Sequence, residues 1–197
     1  MSCDFPKTAE GNLALAFKLV HHLSDSLKDT HGRYDWTTEN LSALRAFADS
    51  TQHPYTLKSY PPVGSNQKGA FLWDYVAYQQ GTGILITAES EFDNLPGKLR
   101  EDFDKLLYVH SPIKLFIFRM EKNLDKIARV VDDLTTHMDS CKTYSPADVY
   151  VLYCRTWRNN DQSSGDLAWL QQIGGKPMHR DVCGKGFVQV LPQKTPD

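Results

Sequence analysis

Several absences narrow the chain before any motif is read. None of its four cysteines, Cys3, Cys141, Cys154 and Cys183, belongs to a C-x-x-C pair. Zinc-ribbon and thioredoxin-type chemistry therefore lack their ligands. No uncharged apolar stretch approaches the ~20 residues that span a bilayer. Neither sign of charge dominates: 22 Lys and Arg against 24 Asp and Glu give a formal charge of −2. That speaks against a polybasic membrane-surface protein and a basic nucleic-acid coat, so any nucleic-acid contact has to be local. The opening Met1-Ser2-Cys3-Asp4-Phe5-Pro6 has no basic start followed by an apolar run, and the expectation is a soluble protein of the cytoplasm. G-x-S-x-G is missing, and neither Gly174-Gly175-Lys176 nor Gly184-Lys185-Gly186 has P-loop spacing. His179-Arg180-Asp181 has the letters of a kinase catalytic loop, but no phosphate-covering Gly loop or D-F-G accompanies it.

What remains is an ordinary globular composition, 41% apolar and 23% charged over 197 residues. This suits one domain with its own core. Leu13, Ala16, Phe17, Val20, Leu23 and Leu27 recur at three- and four-residue steps, which predicts a helix over 8–27. A second helix is expected over 39–48, capped by Thr37 or Thr38. A short strand within 54–60 is followed by a hairpin, with strands over 70–78 and 83–92. Pro96 opens a helix to about residue 109. Residues 113–120 and 148–154 read as interior strands around a helix over 122–138. Residues 167–173 read as a short helix and 187–191 as a last strand. The fold class is α/β: a mixed central sheet with helices on both faces, the later strands parallel.

The chemistry lies on the hairpin. With Gly81-Thr82 as a two-residue loop, Gln80 faces Gly83 and Asp74 falls directly opposite Glu89. Opposed residues share a sheet face, their β-carbons roughly 4.5–5.5 Å apart. Glu91 is two residues beyond Glu89 and shares that face. Phe71, Trp73, Tyr75, Ala77, Ile84, Ile86 and Ala88 take the other, apolar face. Like charges across a ladder destabilise it unless a cation intervenes, and Mg²⁺ suits one or two carboxylates with water and phosphate oxygens. The same spacing also fits a solvated strand face whose side chains point apart. A slip of one residue would set Asp74 against Ser90 instead.

Trp73-Asp74 on one strand, followed by Glu89-Ser90-Glu91 on the next, resembles the motif of the PD-(D/E)XK, restriction-endonuclease-like nucleases. The order of expected elements over 8–120 follows that family's core, helix, three-strand meander, helix and fourth strand. Residues 121–197 would then be a C-terminal α/β extension of the same single domain. The resemblance implies metal-dependent phosphodiester hydrolysis of nucleic acid, with Mg (or Mn) held by Asp74, Glu89 and the Ser90 carbonyl. The motif's usual lysine is Glu91 here, as in some restriction enzymes of this fold. In other members the lysine lies on the following helix, where this chain has Lys105 one turn after Asp102. Catalytic roles are thus implied for Asp74, Glu89, Glu91 and Lys105. Lys98, Asp102 and Lys105 also read as a solvated helix face with ordinary ion pairs. Glu10 and Glu39 match a helical glutamate that some members add, and both read otherwise as surface residues.

Between Arg155 and Lys185, Trp157, Arg158, Trp169, Lys176, Arg180 and Lys185 alternate aromatic and basic character, a pattern that can stack bases and neutralise phosphates. A second expectation therefore stands beside the nuclease: a catalytically inactive binding or interaction protein on the same fold.

Overall fold

A computed structural model of the chain describes residues 9–27, 36–51, 57–60, 73–79, 81, 83–93, 95–141, 148–157 and 167–172. Two helices come first, α1 (Ala9–Leu27) and α2 (Trp36–Ser50). Three strands follow, β1 (Lys58–Tyr60), β2 (Tyr75–Gln79) and β3 (Gly83–Glu91). Then come α3 (Pro96–Leu107), β4 (Ile113–Glu121), α4 (Leu124–Ser140), β5 (Val149–Trp157) and β6 (Leu167–Gln172). The six strands lie in one sheet in chain order. β1, β2 and β3 form an antiparallel meander, β4 and β5 continue it in parallel, and β6 closes antiparallel to β5.

The parallel strands β4 and β5 are buried on both faces, as such strands require. Tyr75, Ala77, Ile86, Ala88, Ile113, Leu115, Ile117 and Val151 face one core, which α1 and α2 complete through Leu19, Leu23, Leu44 and Phe47. Phe116, Phe118, Tyr150, Leu152 and Cys154 face the other, under Leu99, Phe103 and Leu106 of α3 and Ile127, Val131 and Leu134 of α4. β4 thus sorts aliphatic residues to one side and aromatic ones to the other. Phe103 meets Phe116 edge-on, with ring centroids 5.5 Å apart. The mixed sheet with helices on both faces is as expected. Among the described residues no helix is long and apolar enough to cross a membrane.

Local chemistry sets the element ends. Asn123 is extended, and its side chain accepts a hydrogen bond from the Lys126 amide at 3.1 Å, so α4 starts at Leu124 and not at Lys122. Asn123→Ala is expected to cost ~1 kcal/mol, read from urea unfolding. α2 begins at Trp36, which places Thr37 and Thr38 inside its first turn rather than at its cap. Leu167–Gln172 forms a strand where a short helix was expected. A six-residue helix closes too few hydrogen bonds to persist alone, whereas the outer edge of β5 offers this segment a full ladder. The expected strand over 187–191 lies outside the described residues.

Candidate functional site

β2 and β3 pair Tyr75 with Ala88, Val76 with Thr87 and Ala77 with Ile86. Nearer the turn the partners are Tyr78 with Ile84 and Gln79 with Gly83. Three residues therefore separate the strands, not the expected two, and Gly81 and Gly83 supply positive φ of 84° and 115°. A bulge at Leu85 restores the offset. The longer turn and the bulge cancel, which leaves the carboxylates in the expected register.

At Asp74, side chains take over from the backbone ladder. The Asp74 amide donates to Glu89 Oε1 at 3.2 Å. The Ser90 amide and hydroxyl both donate to Asp74 Oδ2 at 2.8 Å. The bend at Asp74 also ends the strict alternation. Trp73 packs against the α3–α4 core and not with Tyr75, and its indole N–H donates to the Lys105 carbonyl at 3.3 Å. That bond ties the strand end to α3 and sets where Lys105 stands. The Lys105 ammonium lies 3.3 Å from Glu89 Oε2 and 2.5 Å from Asp102 Oδ1. Asp74, Glu89, Ser90 and Lys105 are thus in one place. Lys98 is not among them; it pairs with Glu101 at 2.9 Å on the exposed side of α3.

Glu91 is placed differently. Its Oε1 accepts from the amides of Phe92 and Asp93, both at 2.6 Å, and so fastens the chain leaving β3. Partial burial, and then a hydrogen bond to Asp102, hold its carboxyl above the usual carboxylate range. Among the described residues no three His, Cys, Asp or Glu side chains are placed to hold a metal ion. The expected convergence of three carboxylates is therefore corrected to two. Two carboxylates with a carbonyl and water still match the ligand set of Mg²⁺, which seldom takes an all-protein cage.

The Glu89 side chain is only 2% exposed. Burial first, and then the charge of Asp74, push its pKa up to about 8, against the pull of Lys105. Burial pulls the Lys105 ammonium down, but its bonds to Asp102 and Glu89 leave it raised overall. The unfolded chain releases the Glu89 proton near 4.5 and the folded chain near 8. Between those values the folded state binds more protons, so this group's contribution to stability falls as pH rises through that window. In EDTA, Glu89→Gln should raise the melting midpoint at pH 8.5 and change it much less at pH 5. Equal shifts at both would exclude a buried, strained carboxylate.

Charge is also buried on the opposite face of the sheet. Arg155 is fully buried in β5; it donates to Asn40 Oδ1 at 3.0 Å and lies 3.5 Å from Glu39 Oε2. Its guanidinium stacks on Trp36 at 4.0 Å, and that of Arg119, its neighbour across β4 and β5, does so at 4.6 Å. Arg155 is therefore not the exposed phosphate contact expected from sequence. Glu39 is no surface residue either, since its side chain is 12% exposed. Arg158, Lys176, Arg180 and Lys185 lie outside the described residues, as does the side chain of Glu10.

Compared with protein-family models, with curated proteins and with solved structures, the chain matches none.

Proposed function

We propose that the chain is a metal-dependent phosphodiesterase acting on nucleic acid, built on a restriction-endonuclease-like core over 8–120 with an α/β extension over 121–197. One observation carries this: Asp74 and Glu89, from neighbouring strands, are cross-bonded to each other's strand while a lysine from the next helix reaches Glu89. Acidic pairs close enough to raise one another's pKa are costly to fold, and a site that binds a cation gives them a reason to persist. The order of helix, three-strand meander, helix and parallel strand supports the same reading.

Asp74, Glu89 and the Ser90 carbonyl would hold Mg²⁺ or Mn²⁺. The chemistry such an ion supplies when bound is polarisation of a phosphoryl oxygen and a lowered pKa for attacking water. The chain's own groups prepare the place. Ser90 fixes Asp74 by its amide and hydroxyl. Lys105 brings positive charge beside Glu89, where it would offset negative charge developing on a bound phosphoryl group. Glu91 orders the chain at Phe92 and Asp93 and meets Asp102, which in turn holds Lys105.

A second reading has its own support. Lys105 already pairs with Glu89 at 3.3 Å, and Glu91 stands where the family's lysine usually does, a combination that suits an inactive nuclease-fold binding protein. Incubation of the full chain with single- and double-stranded DNA and RNA, in Mg²⁺ or Mn²⁺, separates the two. Cleavage of at least one substrate is expected. Binding without cleavage of any of them would favour the inactive protein.

A further inference from the structure

Lys105 has two partners of unequal kind. Asp102 lies one turn earlier on the same helix and is the nearer, at 2.5 Å. Glu89 lies across on β3, at 3.3 Å. The Lys105 side chain is 39% exposed, whereas Glu89 is almost wholly enclosed. A flexible four-carbon stem with a compact ammonium can swing between two such anchors. Enclosure makes an unbalanced Glu89 carboxylate expensive, and the ammonium offsets that cost. A divalent ion on Glu89 would put a second cation at the same carboxylate. The two repel, and the nearer anchor, Asp102, is already bonded to Lys105.

Resting on the metal-site reading above, we infer that Lys105 is a tethered counter-ion: it holds Glu89 in the metal-free protein and withdraws onto Asp102 when a divalent ion binds. Asp102 is then the positioning residue that receives it. Lys105 thereby sets how tightly metal binds, in addition to any part it has in hydrolysis. Removing Lys105 lifts the repulsion that a cation 3.3 Å from Glu89 Oε2 exerts on a divalent ion at the same carboxylate. The net result is tighter metal binding.

The test is calorimetric titration of the full chain with Mn²⁺ alone, without nucleic acid, at pH 8.5. Parent, Lys105→Met, Asp102→Asn, the double variant and Asp74→Asn are compared, with thermal melts to confirm folding. Lys105→Met should tighten Mn²⁺ binding on the order of tenfold. Lys105→Gln serves as the second replacement if Met disturbs the fold. Asp102→Asn keeps a side chain able to hydrogen-bond Glu91 but leaves Lys105 with Glu89 alone, so binding should weaken several-fold. In the double variant that weakening should largely disappear, because there is no ammonium left to place. A purely structural pair would move both single variants the same way. If the parent binds and Asp74→Asn does not, while Lys105→Met binds like the parent or more weakly, the counter-ion role is overturned and the metal site survives. If the parent takes up no Mn²⁺, or Asp74→Asn binds as the parent does, the metal site falls and the counter-ion role falls with it.

Discussion

Asp74→Ala and Glu89→Ala should each lower metal-dependent phosphodiester hydrolysis by about 10²–10³-fold, as expected when one group that stabilises transition-state charge is removed. The loss should appear in kcat at saturating Mn²⁺, since on the proposed reading each carboxylate would supply one of the ligands. The two variants differ in what else they disturb. Asp74 accepts two hydrogen bonds from Ser90, so Asp74→Asn, which keeps one side-chain oxygen, is the gentler replacement. Glu89 is buried with its pKa raised and accepts from the Asp74 amide, so Glu89→Gln, which fills the same space and keeps an acceptor oxygen, should leave the metal-free fold as stable as before, or more so. Lost activity together with an unchanged or higher melting midpoint would assign the effect to chemistry. Activity equal to the parent in both variants would end the catalytic reading.

Asp148→Ala should cost about 3–5 kcal/mol of stability. Lys114 is almost wholly buried on β4, its ammonium bonded to Asp148 and 5.0 Å from the centre of the Tyr150 ring. Without Asp148 that charge lies in the core with an aromatic face as its compensation. Burial already holds the Lys114 pKa below its usual value, against the bonds to Asp148. A lysine with a lowered folded-state pKa binds fewer protons than the unfolded chain, so stability rises with pH from the folded pKa to the unfolded one. The damage in Asp148→Ala should therefore shrink as pH is raised. Lys114→Met with Asp148→Ala should recover most of the loss, because an apolar pair of similar volume carries no desolvation penalty. Urea midpoints with an unchanged m-value would measure both. A loss below ~1 kcal/mol would mean that the pair is solvated.

Local periodicity made most of the fold legible. The three- and four-residue apolar steps from Leu13 to Leu27 became α1, and the apolar runs at 113–120 and 148–154 became the parallel strands. The failure at Leu167–Gln172 is a tertiary effect, because the edge of β5 decides that segment and no six-residue window records it. Within the site, the pairing of Asp74 with Glu89 was legible because strand alternation is a local rule, whereas Lys105 was suggested only by the family resemblance, and helix spacing fitted an ordinary solvated ion pair equally well. The bulge at Leu85 was not, and the register held only because the turn was longer by the same one residue. The bond from Asp102 to Glu91 and the burial of Arg155 were also unreadable. Arg155 meets Asn40 across 115 positions, and a charge that far from its partner in sequence looks exposed until the sheet closes. Its place among Trp36, Glu39 and Asn40 turns an expected phosphate contact into a structural one.

Everything functional depends on Asp74 and Glu89 sharing a divalent ion. The most direct measurement is anomalous diffraction from crystals of the full chain soaked in Mn²⁺. A peak bridging the Asp74 and Glu89 carboxylates, absent in Asp74→Asn crystals, is the expected result. Carboxylates that stay bonded to Ser90 and Lys105 at high Mn²⁺, with no peak between them, would contradict it.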